Sequence, residues 1–346
     1  MTAARKRLLL VGNPTAQSGK AVQRIARAHA LLTDAGFALD TLDTAPAGRT
    51  VALVKEAVDD TAYDVVVALG GDGTFAEVAK GVLQSKRQVH MGFLPSGTGN
   101  DQGKSFGISA AEDKMPEGVR IIQDGHVTHL DVAYVKKLDD DGNVVDRETF
   151  FDSLGFGIQP EILQQRNKDR AFVQKIPFLR DVYRDQAVYA GATLAKYVES
   201  FFEPTKFDAD IVADGEELHF AGLTDVILKN TAVYGGAWIL AREGEPDDGK
   251  LELIPMQGRR DWFSKILRDH QNVPVWQEDL DLLGVTHAAG TSAAHFELRL
   301  HRPAREEIRA QLDGEEWTSG KHFVVDVDKN ALPLLTPADF IPPWRP

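Results

Sequence analysis

Short apolar runs that stop at glycine, each followed by apolar residues at helical spacing, organise the first third of the chain. Leu8-Leu9-Leu10-Val11 runs into Gly12-Asn13-Pro14, Val65-Val66-Val67-Ala68-Leu69 into Gly70-Gly71-Asp72-Gly73-Thr74, and Val89-His90-Met91-Gly92-Phe93-Leu94 into Pro95-Ser96-Gly97-Thr98-Gly99-Asn100-Asp101. Uninterrupted apolar runs of this length suit parallel strands buried on both faces. Phe75, Val78, Ala79, Val82 and Leu83 predict a helix after the second run, and Val22, Ile25, Ala26, Leu31 and Leu32 predict one after the first. The unit is strand, glycine turn, helix.

After His129 this rhythm gives way to alternating segments. Strands are predicted from Asp131 to Val135, Phe207 to Val212, Leu218 to Asn230, Leu251 to Pro255, Phe296 to His301, Glu307 to Leu312 and His322 to Val327. Asp139-Asp140-Asp141-Gly142 and Asp313-Gly314 read as hairpin turns between them. Helical spacing interrupts the strands between about Asp185 and Phe202 and from Trp262 to His270. The expected architecture is an α/β domain with a parallel sheet over residues 1–130, an all-β sandwich with helical insertions over 131–330, and a C-terminal segment, 331–346, that returns to the first domain.

The 346 residues suffice for two domains, and 43% hydrophobic with 26% charged residues is an ordinary globular composition. With no cysteine, disulfides, zinc ribbons and thiol catalysis are excluded. Arg5-Lys6-Arg7 precedes an apolar run that Gly12-Asn13-Pro14 ends too early for a signal peptide, so a first strand is expected. No stretch approaches the roughly 20 apolar residues of a membrane-spanning helix. A net charge of −13 argues against nucleic acid as partner. Two basic stretches stand out: one holds Arg166, Lys168, Arg170, Lys175, Arg180 and Arg184, and the other places Arg259, Arg260, Lys265 and Arg268 around Trp262, Phe263, Ile266 and Leu267. They suit either solvated helix faces or contact with lipid headgroups.

The glycine turns carry the chemistry. Glycines let backbone N–H groups face a ligand without obstruction, and the helix that follows adds partial positive charge, a combination suited to phosphate oxygens. Thr74 and Glu77 are also spaced as a capping box, which would account for the turn without a ligand. Asp72 among such amides would repel phosphate unless it handles a metal ion or a proton. A Walker loop at Gly19-Lys20 is excluded because Pro14 holds the upstream glycine position and Ala21 the hydroxyl position. A Gly-x-Gly-x-x-Gly dinucleotide fingerprint is absent at these strand ends as well. His126 and His129 would face opposite sides of an extended segment, which makes them poor metal partners.

Gly70-Gly71-Asp72-Gly73-Thr74, Leu94 to Asp101, Asn13-Pro14 and the late Leu312-Asp313-Gly314-Glu315 together resemble the diacylglycerol kinase catalytic family, within the NAD kinase superfamily, over nearly the whole chain. The first turn alone is shared with NAD kinases and phosphofructokinases; the second turn selects the lipid-kinase branch. The resemblance implies an ATP-dependent lipid kinase, using Mg²⁺ to phosphorylate diacylglycerol or a related lipid alcohol, in the cytoplasm with peripheral contact to the inner membrane face. It implies that Asn13, Thr44, Gly70, Gly71, Asp72, Gly73, Thr74 and Thr98 bind nucleotide, with Asn100 and Asp101 bracing their turn. For the proton acceptor Asp313, Asp72 and Glu315 compete; Asp313 is expected to be the base, with Asp72 positioning Mg²⁺-ATP. Glu245-Pro246-Asp247-Asp248-Gly249-Lys250 resembles a segment that binds structural Mg²⁺, through the Asp248 side chain and the carbonyls of Glu245 and Lys250, although by itself it reads only as a turn. Ala76, Gln17-Ser18 and Gln102-Gly103-Lys104-Ser105 depart from the family pattern. Two other readings remain: a soluble-metabolite kinase of the NAD kinase type, and a non-catalytic nucleotide-binding protein.

Overall fold

The computed structural model describes residues 5–14, 20–97, 99–157, 160, 206–235, 238–241, 243–257, 291–302 and 306–344. Strands β1 (Arg7–Gly12), β2 (Ala38–Asp43), β3 (Val65–Gly70) and β4 (His90–Pro95) form a parallel sheet in the order β2-β1-β3-β4. Helices α1 (Lys20–Asp34), α2 (Arg49–Asp60), α3 (Asp72–Gln84), α4 (Asp101–Ser105) and α5 (Met115–Asp124) accompany it.

Period-two alternation sends successive residues of one strand into different cores. Leu8 and Leu10 pack with Ala28 and Leu32 of α1 and with Met115, Val119 and Ile122 of α5. Leu9 and Val11 pack on the opposite face with Val54 and Val58 of α2 and with Phe75 and Val78 of α3. Burial on α1 follows Ala21, Ala28 and Leu32, which leaves Val22 56% exposed. Ile25, Leu31 and Leu32 thus face the core as the spacing predicts, whereas Val22 and Ala26 lie off the stripe.

The remaining strands are β5 (Val127–Leu138), β6 (Val144–Phe150), β7 (Ser153–Gly157), β8 (Phe207–Ala213), β9 (Glu216–Leu223), β10 (Asp225–Lys229), β11 (Val233–Tyr234), β12 (Trp238–Ile239), β13 (Leu251–Met256), β14 (Thr291–Ala293), β15 (His295–His301), β16 (Ile308–Leu312), β17 (Glu315–Gly320) and β18 (His322–Leu335). The first sheet continues from β4 through β18, β15 and β8 to β9, with β5 also paired to β18 and β6 to β5. A second sheet, β14-β13-β10-β7-β16-β17, is antiparallel throughout. Phe150, Phe156, Phe207, Phe296 and Phe323 fill the space between the two sheets, giving an all-β sandwich beside the α/β unit.

The long strand β18 ties the two parts together. Its first half pairs with β15 and β5, an irregularity falls between Asp328 and Leu332, and Leu334 then lies beside Met91 of β4. The expected single strand from Leu218 to Asn230 is two strands in different sheets: the chain leaves β9 at Leu223, turns at Thr224 after Gly222 (φ 67°), and enters the second sheet as β10. Both basic stretches and both predicted helical insertions lie outside the described residues.

Candidate active site

The glycine turns after β3 and β4 are locked to each other at the edge where the parallel strands end. Helix α3 begins at Asp72, two residues before the expected capping threonine, and no described side chain caps it. Its Ncap is Gly71, so the first-turn amides are offered without a side chain in front of them. A methyl group placed on Gly73 would meet nothing within 4 Å, whereas one on Gly97 would come within 2.7 Å of the Gly71 Cα. Close approach of the two loops therefore demands glycine where they touch, and no described atom crowds Gly73 in the first turn of the helix.

Asp72 and Asn100 build the junction. The Asn100 amide donates to Asp72 Oδ2 at 2.8 Å, and the Gln102 amide to Oδ1 at 3.4 Å. Asn100 holds its own turn by accepting from the Gly97 amide at 2.9 Å and donating to the Gly97 carbonyl at 2.6 Å, with its backbone in the left-handed region at φ 53°. Asp101 accepts from the Gly235 amide at 2.7 Å, joining this turn to the segment after β11. Both residues brace the turn, as an Asn-Asp pair is suited to do. Ser96 N–H donates to the Gly70 carbonyl at 2.7 Å. Asn13 follows β1, and the Thr44 amide donates to the Gly12 carbonyl at 2.9 Å, so these two half-buried residues sit side by side at the same sheet edge. Thr98 lies outside the described residues.

The late Asp313-Gly314 pair sits in the hairpin turn between β16 and β17. Asp313 and Gly314 both have positive φ, 49° and 80°, as a tight two-residue hairpin requires. The Asp313 carboxylate accepts from the amides of Phe151 (3.1 Å), Asp152 (2.7 Å) and Ser153 (3.0 Å), while its own amide donates to the Ser153 carbonyl at 2.9 Å. The residue as a whole keeps partial exposure, but its carboxyl group is enclosed. Burial, then the charge of Asp152, push its pKa up to about 7 against the pull of those amides. Glu315, at the start of β17, is exposed and faces Leu312 in the ladder.

Asp152 is the residue that sequence reasoning missed. Its carboxylate accepts from Lys229 Nζ and Thr231 Oγ1, and both side chains of the ion pair are buried, 6% and 0% exposed. Lys229 also lies 5.5 Å from the centre of the Tyr234 ring. The charge of Asp152 raises Asp313, and it also raises Asp72, after burial. The charge of one carboxylate thus acts on both the glycine loop of the α/β unit and the acidic turn of the sandwich. The available signal was Lys229 itself, a cation closing the otherwise apolar run Val226-Ile227-Leu228, since a buried cation requires a partner.

In the third acidic region the Asp248 carboxylate accepts from the Lys250 amide at 2.8 Å, an ordinary turn contact. Asp131, fully buried, accepts from the amides of Gly249 and Asn330, and its own amide donates to the Pro246 carbonyl at 2.7 Å. Burial, then Asp248 and Asp247, raise the Asp131 pKa; burial, then Asp248 and Glu243, raise that of Glu252. Surplus negative charge and oxygen donors suit a hard cation. Among the described residues no three His, Asp or Glu side chains converge as a metal cluster, so a cation here would rely on carbonyls beside Asp248.

Glycine loops at the ends of parallel strands and an enclosed carboxylate on a sandwich hairpin are thus brought into one α/β plus β-sandwich fold. Residues 7–135 match the family model of the diacylglycerol kinase catalytic domain. A protein named probable lipid kinase YegS-like, from Cronobacter sakazakii, is 27% identical over 317 residues, spanning 89% of this chain and 90% of its own. A diacylglycerol kinase structure from Bacillus anthracis superposes with a TM-score of 0.66 at 18% identity, covering 99% of this chain and all of that one. Yeast NADH kinase superposes at 0.50 and 12% identity, over 96% of this chain and 83% of its own. At such identities the two structures show a shared fold.

Proposed function

We propose that this protein transfers the γ-phosphoryl group of ATP to the hydroxyl of diacylglycerol or a related lipid alcohol. The observation that carries the reading is the junction at residues 151–152: the Asp152 amide donates to the Asp313 carboxylate at 2.7 Å, the Phe151 ring packs edge-on at 5.8 Å against Phe75 of α3, the helix that begins at Asp72, and the Asp152 charge acts on Asp72 and Asp313 alike. The family of residues 7–135 supports the kinase chemistry and the lipid branch.

On this reading Gly70, Gly71, Gly73 and Thr74 hold the phosphates on backbone amides, with Asn13, Thr44 and Thr98 lining the nucleotide. Asp72 orients the Mg²⁺-nucleotide, and the bound Mg²⁺ would neutralise charge on the phosphates. As the acceptor oxygen bonds to the γ-phosphorus, the bond to the β,γ-bridging oxygen breaks, ADP leaves with that electron pair, and the hydroxyl proton passes to Asp313. A carboxylate with a pKa near the working pH is matched to that task. Glu315, exposed beside it, remains available to the acceptor side, and Glu245, Asp248 and Lys250 would hold a structural Mg²⁺. Residues 1–130 then form the donor wall and 131–330 the acceptor wall, with 331–346 returning to the first. No helix among the described residues is long and apolar enough to cross a membrane, so the lipid would be met at its surface.

Mixed micelles of diacylglycerol, NAD, and no acceptor, each supplied with Mg²⁺-ATP, test the proposal. Lipid-dependent ADP release with a phosphorylated lipid product is expected. ADP release that ignores the lipid, or that requires NAD, overturns it.

A further inference from the structure

A buried ion pair is a costly way to stabilise a fold, because each ion loses several kcal/mol of hydration and apolar residues of similar volume serve as well or better. Lys229 and Asp152 are paired inside the protein, and their position suggests another role. The side chain of Asp152 points to Lys229 and Thr231, while its backbone amide makes the shortest of the contacts to Asp313, 2.7 Å. From the far side, the Asn230 amide donates to the Asp152 carbonyl at 2.8 Å, and Asn230 Nδ2 to the Phe151 carbonyl at 2.9 Å. The segment 151–153 is therefore clamped between residues 229–231 and the Asp313 turn.

We propose that Asp152, held by Lys229 and Thr231, is a positioning residue that fixes both the orientation and the charge environment of Asp313. The inference rests on Asp313 being the proton acceptor. One residue supplies a backbone donor that orients the carboxylate and a fixed negative charge that makes it more basic, while Lys229 keeps that charge in place. Among the described residues, the other charged and titratable groups around this centre are Asp72 at the start of α3, Asp101 on α4, Glu315 on β17 and Tyr234 against Lys229. None of them both grips Asp313 and bears charge beside it in the contacts described.

The sign follows from electrostatics. With the Asp152 charge removed, Asp313 ionises more readily; with only the Lys229 charge removed, Asp152 repels the Asp313 carboxylate more strongly. The pH dependence of kcat in the full chain is measured for wild type, Asp152→Asn, Lys229→Met and the double variant Asp152→Asn/Lys229→Met, with folding checked by thermal melts. The acidic limb is expected to move to lower pH by about one unit in Asp152→Asn and to higher pH by a similar amount in Lys229→Met, the usual scale for a neighbouring charge. Each single change leaves one buried charge unpaired, so the uncharged double variant decides the matter should they unfold. Its limb is expected below that of wild type, because Asp152 is the charge in contact with the Asp313 turn. A purely structural role would lower kcat or Tm evenly across pH. A double variant that folds and keeps the wild-type limb overturns the inference. Full activity in Asp313→Asn would instead remove the base assignment beneath it, and the two failures are thereby told apart.

Discussion

The backbone amide of Asn100 lies 2.8 Å from Asp72 Oδ2, so the second glycine turn is fastened to the helix that begins at the first. Asn100 adds two side-chain bonds to Gly97 and adopts φ 53°, a conformation asparagine tolerates better than most residues. Asn100→Ala is expected to cost about 1–3 kcal/mol, the range for leaving buried partners unsatisfied. Asn100→Gly, which relieves the backbone but lacks the side chain, should cost less. Urea denaturation of both variants checks the order.

Two glycines in the same pair of loops should respond oppositely to alanine. A Cβ on Gly97 meets the Gly71 backbone at 2.7 Å, and neither backbone can yield as a flexible side chain would. Gly97→Ala is expected to destabilise the fold by about 1–3 kcal/mol, as overpacking does. Gly73→Ala meets no atom within 4 Å, so its melting temperature should stay within about 2 °C of wild type. Its methyl group would stand where phosphate oxygens approach the helix terminus, and KM for ATP should rise about tenfold. An unchanged KM would move the nucleotide elsewhere.

The parallel strands and glycine turns were legible because each apolar run stops at residues that only a turn uses. Phe75, Val78, Ala79 and Val82 are buried as their spacing required, and the hairpins at Asp139–Gly142 and Asp313-Gly314 form. Local pattern misled where tertiary packing chose between near-equivalent options. Val22 and Ala21 both fit a helical stripe, and only the position of the sheet decides which is covered. His322 to Val327 reads as a complete strand because Asp328-Lys329-Asn330 resembles a turn, yet the chain absorbs it as a bulge and continues to Leu335. The Asp152–Lys229 pair was illegible for a different reason. Its members are 77 residues apart, and no periodicity encodes which buried cation meets which carboxylate.

Asp313 should impose a pH dependence on stability as well as on activity. Its folded pKa, about 7, lies above the ordinary value of 3.8, so between the two the native state binds more protons than the unfolded chain. Stability from this group is thus fully present below about pH 4 and is lost as pH rises through 7. In Asp313→Asn that downward slope should disappear from a plot of melting temperature against pH. The same substitution should lower kcat by about 10² to 10⁴ while leaving ATP affinity nearly intact, the scale for losing a general base. Wild-type kcat should fall below about pH 7, as the base becomes protonated.

Asp248 separates a structural cation from a plain turn. As a turn residue it contributes one carboxylate-to-amide bond, to Lys250, and Asp248→Ala would cost about 0.5–1.5 kcal/mol at any Mg²⁺ concentration. As a cation ligand it does more, because the cation would offset the mutual repulsion that raises Asp131 and Glu252. Wild-type melting temperature should then rise with Mg²⁺ in the absence of nucleotide, by the mass action of a ligand that binds only the folded chain. The expected result is that Asp248→Ala abolishes this rise, and in EDTA melts below wild type only by the loss of that one turn bond. A magnesium titration that is flat for both proteins would leave residues 245–250 as a turn and nothing more.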